Sequence, residues 1–298
     1  MEKIKSLLKE YIQRGSWLWK VAVKALYFCR YLSVFVHYGV LRGKRGLEIG
    51  GPSPNFQDGV LPVYPFVAGL DGCNFAETTI WGGAIKEGWN FKYYPGRKAG
   101  YQFICDATDL SAIPPETYDF VLASHVIEHI ANPVKALRDW IRVLKKDGVL
   151  LLMVPHRDGV SEQLRPLTTL KHLVEDFTRG VREDDPAHVP ELLEWLDSRT
   201  DAPASEIAAY KNNLRNFHDN RALHHHVFST YLAAALVNYA GMKILSVRNI
   251  LPCHIVVLAK KVADPETAVN VKFLGPRARY KRASPFPSDR IAEGTGVF

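Results

Sequence analysis

The sequence predicts an α/β protein built on a seven-stranded, mostly parallel sheet. Three observations carry this: short apolar runs that end in glycine or a polar residue, an amphipathic helix between two of them, and a closing helix followed by two more strands. Leu47-Glu48-Ile49 runs into Gly50-Gly51-Pro52, a buried strand entering a tight turn. Val67 to Leu70 reads as a second strand ending at Asp71, and Tyr101 to Cys105 as a third ending at Asp106. Tyr118 to Ala123 is a fourth, closed by Ser124-His125. Residues 133–146 read as a helix with Val134, Leu137, Ile141 and Leu144 on one face. Asp147-Gly148 then turns the chain into Val149–Val154, a continuous apolar run of the kind buried on both faces. Val227–Tyr239, ending at Gly241, is the penultimate helix, and Ile244–Ile250 and His254–Ala259 close the sheet.

The body spans 46–270. Within it, 156–225 breaks the alternation: it is polar, punctuated by Pro166, Pro186, Pro190 and Pro203, and helical around Leu170–Phe177 and Leu192–Leu196. It reads as an insertion covering one edge of the sheet. Residues 271–298, with Gly275-Pro276, Pro285 and Pro287, read as a flexible basic tail with no core to join.

The formal charge of +7 is unevenly spread. Residues 1–45 carry a net +8 and 271–298 a net +4, leaving the body at −5. A mildly acidic body excludes a nucleic-acid groove, whose working face is lined with positive charge. Residues 3–40 read as one or two helices in which Trp17, Trp19, Tyr27, Phe28, Tyr31, Phe35 and Tyr38 interleave with Lys20, Lys24 and Arg30. That mixture suits peripheral contact with an anionic membrane surface through residues 1–40, or a helix covering the protein's own site. Lys20, Lys24 and Arg30 interrupt the longest apolar stretch, Trp17 to Leu41, which therefore does not read as a spanning helix. Cys29, Cys73, Cys105 and Cys253 lie far apart without CxxC spacing and read as reduced thiols, which with no secretory signal points to a cytoplasmic protein, peripheral to the membrane's inner face at most.

In parallel sheets of this kind a ligand sits beyond the carboxyl ends of the strands. Gly50-Gly51, Asp71, Asp106, Ser124-His125 and Pro155-His156 all gather there by this reading. At these residues the sequence resembles the class I S-adenosylmethionine-dependent methyltransferases of small-molecule type, over Gly46 to Lys261. The long block from Tyr118 to Ile130, continued by Asn132-Pro133, Ala136-Leu137, Arg142–Lys145 and Gly148, is the most specific part of the match. The resemblance implies a Rossmann-like fold and S-adenosyl-L-methionine as cofactor. It implies a cofactor site of Glu48, Gly50, Gly51, Asp71, Asp106, Ala107, Ser124 and His125. Asp71 is expected to accept from both ribose hydroxyls, Asp106 from the adenine amino group, and the Ala107 backbone to meet a ring nitrogen. Glu48 is expected to hold either the glycine turn or the amino group of the methionine moiety. The family's further glycines after Gly50 are replaced by Pro52 and Pro54, which removes amide donors and leaves little room for the usual long helix.

His125, His129 and His156 are the catalytic-base candidates, with Asp158 and His225 behind them. His125-Val126-Ile127-Glu128-His129 also fits HxxEH, an inverted zinc-peptidase pattern, but that needs one continuous helix and here a strand leads directly into His125. Some O-methyltransferases of the resembled family hold a divalent ion at a similar Glu-His, so Glu128 and His129 carry that idea; no metal is assigned. His224-His225-His226 ends the insertion and is a second substrate-contacting candidate. With Arg165–Leu170 it resembles a bacterial subgroup associated with surface-polysaccharide assembly. The expected reaction is methyl transfer to a hydroxyl or amine of a small polar or glycan acceptor. The alternative is a non-catalytic scaffold of the same fold that binds cofactor or membrane.

Overall fold

The computed structural model describes residues 39–161, 164–198 and 203–290. The expected helices at 3–40 fall, up to residue 38, outside the described residues.

Eight strands form one sheet, one more than expected. In chain order they are β1 (Arg45–Ile49), β2 (Gly69–Asn74), β3 (Gly88–Phe91), β4 (Gly100–Ile104), β5 (Tyr118–Ser124), β6 (Leu144–Pro155), β7 (Lys243–Ile250) and β8 (His254–Lys260). Their spatial order is β3-β4-β2-β1-β5-β6-β8-β7. The five strands β4, β2, β1, β5 and β6 run parallel, while β8 and β7 at one edge and β3 at the other are antiparallel to their neighbours. The extra strand is β3, whose Gly-Trp-Asn-Phe sequence carries little of the strand signal that marks the others. The strand order switches direction between β1 and β5, and the carboxyl ends of the parallel strands open a crevice there.

The central strands are covered on both faces, as their unbroken apolar runs demand. Along β6, Leu150, Leu152 and Val154 point to one face with Val121 and Ala123, while Val149, Leu151 and Met153 point to the other with Phe120 and Leu122. The first face is packed by two helices, α2 (Pro133–Val143) and α6 (Thr230–Tyr239), through Val134, Leu137, Trp140, Leu232 and Leu236. On the second face sit Phe56, Val63 and Tyr64 from the proline-rich turn after β1, which forms the four-residue α1 (Pro54–Gln57) and a short 3-10 turn at Tyr64–Phe66.

Helix α2 starts as its sequence requires: Asn132 caps it by accepting from Lys135 N, and Pro133 occupies the first turn where no amide partner is needed. It stops at Val143, three residues earlier than predicted. Leu144 pairs with Tyr118 at the start of β6, and Lys145 reaches across to Asp119 at 2.9 Å. Helix α6 begins three residues later than predicted because Ser229 caps it, accepting from Leu232 N.

The insertion contains α3 (Leu170–Arg179), α4 (Val189–Ser198) and α5 (Ala204–Arg215), then a short turn at Phe217–Asn220. Its own small core is Leu192, Trp195, Leu196, Leu214, Phe217 and Leu223.

Residues 271–290 are not a loose tail. Phe286 is buried and stacked on His156, their ring centroids 4.0 Å apart. Asp289, also buried, accepts from His156 Nε2 at 3.2 Å, from Thr230 Oγ1 at 2.7 Å and from Asn249 Nδ2 at 3.3 Å. These groups reach three separate elements, so the segment is part of the fold. Among the described residues no helix is long and apolar enough to cross a membrane.

Candidate active site

The turn after β1 forms one wall of the crevice, which has a volume of about 530 Å³. Gly50 has a φ of +75°, a conformation that side chains rarely adopt, and its amide donates to Cys73 O at 2.8 Å. Gly50 and Gly51 both face the cavity. Glu48 does not. It is fully buried behind the turn, where it accepts from Tyr64 Oη at 2.6 Å and from Ser53 N at 3.0 Å. Desolvation pushes its carboxyl up to about 8 against those two hydrogen bonds. Of its two expected roles, holding the glycine turn is the one its position allows.

Asp71 is also absent from the crevice. Strand β2 starts at Gly69 and runs to Asn74, so Asp71 lies opposite Leu47 in mid-sheet rather than at a strand end. It is 2 % exposed and fully engaged: Arg45 Nη2 donates at 2.8 Å, Tyr118 Oη at 2.8 Å and Tyr101 N at 2.8 Å. The residue at the carboxyl end of β2 is Asn74, whose Nδ2 donates to Gly51 O at 3.0 Å and so ties the glycine turn to the next strand. Cys73, beside it, lies with its sulfur 3.3 Å from that of Cys105; the fold brings together two thiols that are far apart in sequence.

Asp106 and Ala107 follow β4 and line the cavity as expected. One Asp106 oxygen accepts from Thr108 N at 2.7 Å; the other pairs with Arg221 of the insertion at 2.8 Å. Trp140 Nε1 donates to Ala107 O at 2.8 Å and fixes that backbone from below. Ser124 and His125 close β5. Ser124 Oγ accepts from Asn55 Nδ2 at 3.0 Å. His125 sits at a φ of +54°, a strained position for a side-chain-bearing residue, and its Nε2 lies 2.9 Å from His254 Nδ1. Burial and the neighbouring histidines lower its imidazole to about 4.

His129 lies on the same wall. Its Nδ1 faces Leu223 O at 3.3 Å, and its Nε2 is 4.0 Å from Glu128 Oε1. Burial and His224 hold it well below the usual histidine range, so it is neutral at physiological pH. The His224 ring packs edge-on 4.3 Å away and Trp81, on the hairpin after β2, at 5.1 Å.

His156 is the third base candidate, and the fold removes it from the crevice. It is completely buried, accepts from Asp158 N at 3.0 Å and is locked to Asp289 and Phe286. Asp158 in turn accepts from Ser288 N, and His225 is buried behind Arg221 and Glu183. The triple histidine is split, with only His224 at the cavity.

Asn74, Trp81, Glu183 and Arg221 line the crevice without having been singled out from sequence. Asn74 would follow from a strand three residues longer. Arg221 and Glu183, paired at 2.7 Å, carry no local signal, because the insertion's packing alone delivers them.

Residues 83–152 match a family model described as a methyltransferase domain. The match covers less than a quarter of the chain but runs from the hairpin after β2 into β6, taking in Asp106, Ser124, His125 and His129. No curated protein matches the chain. Among solved structures, a SAM-dependent methyltransferase from Aquifex aeolicus is 13 % identical, with 77 % of this chain and 88 % of that one covered at a TM-score of 0.41. One from Methanosarcina mazei is 14 % identical, with 76 % and 97 % covered at 0.41. The 1,6-didemethyltoxoflavin-N1-methyltransferase of Burkholderia thailandensis, with its substrate and S-adenosylhomocysteine bound, is 11 % identical, with 76 % and 74 % covered at 0.40. The match marks residues 83–152 as a methyltransferase domain. The cofactor that the sequence resemblance implies is S-adenosylmethionine.

The residues present fit that group in most respects. The crevice spans the ends of β1, β2, β4 and β5, offers two glycines at one side and a carboxylate beside a backbone turn at the other, and has the volume of a typical ligand pocket, roughly 300–1,000 Å³. The departure is at β2, where an amide, Asn74, stands in place of the expected carboxylate.

Proposed function

We propose that this protein methylates a hydroxyl or amine of a small polar acceptor, a glycan in the favoured case, with His129 as the general base. The observation that carries the reading is the pairing of His129 Nδ1 with the Leu223 carbonyl. A carbonyl only accepts, so Nδ1 keeps the proton and Nε2 keeps its lone pair. Bound cofactor supplies an electrophilic methyl group on a sulfonium. Gly50 and Gly51 let the backbone approach its methionine end, Asn74 presents an amide oxygen to the ribose, and Asp106 accepts from the adenine amino group. With the cofactor bound, His129 Nε2 would take the acceptor's proton as the acceptor–methyl bond forms and the sulfur–methyl bond breaks to leave a neutral thioether, and the Glu128 carboxylate at 4.0 Å would stabilise the imidazolium. Trp81, 57 % exposed at the cavity and edge-on to His129, offers an aromatic face that suits the apolar side of a sugar ring.

Two measurements test this. Calorimetry with S-adenosylmethionine should show binding to the full chain. Turnover with labelled methyl donor across a panel of polar and sugar acceptors should then fall about 10²–10⁴-fold in kcat for His129→Gln, with cofactor affinity unchanged. A variant that keeps wild-type kcat removes His129 as base. Cofactor binding with no turnover on any acceptor would favour a non-catalytic scaffold instead.

A further inference from the structure

A second cluster of coordinating side chains lies in the insertion, and none of its members lines the crevice. His172 and Asp176 sit one turn apart on α3, His188 immediately precedes α4, and His226 lies in the segment leading to α6. One ligand atom from each falls within 4.8 Å of all the others. His172 Nε2 is 3.2 Å from His188 Nε2 and 3.2 Å from Asp176 Oδ2. A tetrahedral zinc site with bonds of 2.0–2.1 Å places its ligand atoms about 3.3 Å apart. The spacing is that of a coordination shell.

Hydrogen bonding alone does not account for the cluster. Asp176 Oδ2 and His226 Nδ1 are buried with no hydrogen-bond partner, and both residues are under a tenth exposed. His172 Nε2 stands beside both a carboxylate oxygen and a second imidazole nitrogen, and one ring proton cannot serve the two. Lone pairs converging on a common point are what a cation requires, whereas a proton network leaves these atoms orphaned. Supporting groups are present as well. His226 Nε2 lies 3.3 Å from Ala131 O, and His188 Nδ1 lies 3.8 Å from the Glu191 carboxylate, the kind of partner that orients a ligating imidazole.

We propose that His172, Asp176, His188 and His226 form a structural zinc site, separate from the methyl-transfer crevice. Three neutral imidazoles and one carboxylate match zinc's preference for closed, four-coordinate nitrogen and oxygen shells. His172, partly exposed, gives the ion a path from solvent. The metal joins α3, the loop before α4 and the segment carrying residues 224–226. It therefore holds in place the stretch that presents Arg221 and His224 to the crevice.

The test uses the untagged full chain, loaded with zinc sulfate, dialysed and measured by plasma mass spectrometry. About one equivalent of zinc is expected, together with the visible ligand-field bands of tetrahedral cobalt when cobalt chloride replaces it. Asp176→Asn and His188→Ala should retain under about a tenth of an equivalent, and the milder His172→Gln should bind at least tenfold more weakly. A His129→Gln/His224→Gln double variant should keep its zinc. Chelation should lower the wild-type unfolding midpoint, and zinc should restore it. Wild-type protein that retains no zinc after loading overturns the proposal, whether or not the variants fold. So does zinc that is lost only from the crevice variant, because that assigns the metal to Glu128, His129 and His224.

Discussion

At the scale of single residues, the two aspartates expected to grip the cofactor have opposite fates. Asp71 accepts three hydrogen bonds inside the sheet, whereas Asp106 faces the cavity, one oxygen held by Thr108 N and the other paired with Arg221 of the insertion. Replacing Asp71 with Ala strands the buried Tyr118 hydroxyl and the Tyr101 amide, each at about 1–3 kcal/mol; the exposed Arg45 adds little. Asp71→Ala should therefore lose about 2–4 kcal/mol of stability in urea titration, while S-adenosylmethionine affinity of the folded protein stays within about twofold. Asp106→Asn should do the reverse, weakening the cofactor Kd about tenfold or more, the loss of one charge-assisted hydrogen bond, with a smaller stability change. Calorimetry on the two variants separates the roles. A weakened cofactor Kd for Asp71→Ala, with Asp106→Asn unaffected, would reinstate Asp71 as the ribose ligand.

At the scale of elements, the C-terminal segment makes the clearest claim. His156 and Asp289 form a buried pair that also holds Thr230 and Asn249. Breaking a buried pair by removing one partner costs about 3–5 kcal/mol, so Asp289→Ala should destabilise by that order and expose residues 271–290 to protease. Cofactor affinity should not change, since His156 lies outside the crevice; a large loss would mean that the segment shapes the site. Nothing in the local sequence announces this packing. The segment's helices are four residues long, too short for periodicity to show, and Phe286 between two prolines reads as a loop residue. The central strands were legible for the opposite reason: Tyr118–Ser124 and Val149–Val154 are buried on both faces, and only an unbroken apolar run satisfies that. Strand β2 was legible in existence but not in extent, because Gly72 and Asn74 interrupt its apolar pattern. That shortfall misplaced Asp71 and hid Asn74. The crevice residues on the parallel strands, Gly50, Gly51, Asp106, Ala107, Ser124, His125 and His129, were readable because topology alone brings those strand ends together. Glu183 and Arg221 were not, since they arrive through tertiary packing of the insertion.

At the scale of the whole molecule, burial of ionisable groups around the crevice makes stability depend on pH in two opposed ways. His125, held at about 4, and His129 and His254, also lowered, stay neutral in the folded protein while an unfolded chain protonates them near 6.5. Their contribution is fully present above 6.5 and is lost as pH falls toward 4, because the unfolded state then binds more protons. Glu48 works in the other direction. Its carboxyl, raised from 4.5 to about 8, keeps its proton in the folded state where the unfolded chain has released it. Its contribution is present below 4.5 and is lost as pH rises to about 8. Three histidines outweigh one glutamate on the acid side, and the glutamate acts alone between 6.5 and 8. Stability in urea should therefore peak near pH 6.5. The acid limb should flatten in His125→Gln, and the alkaline limb in Glu48→Gln. An alkaline limb of unchanged slope in Glu48→Gln would show that the carboxyl behind the glycine turn is already ionised in the folded protein.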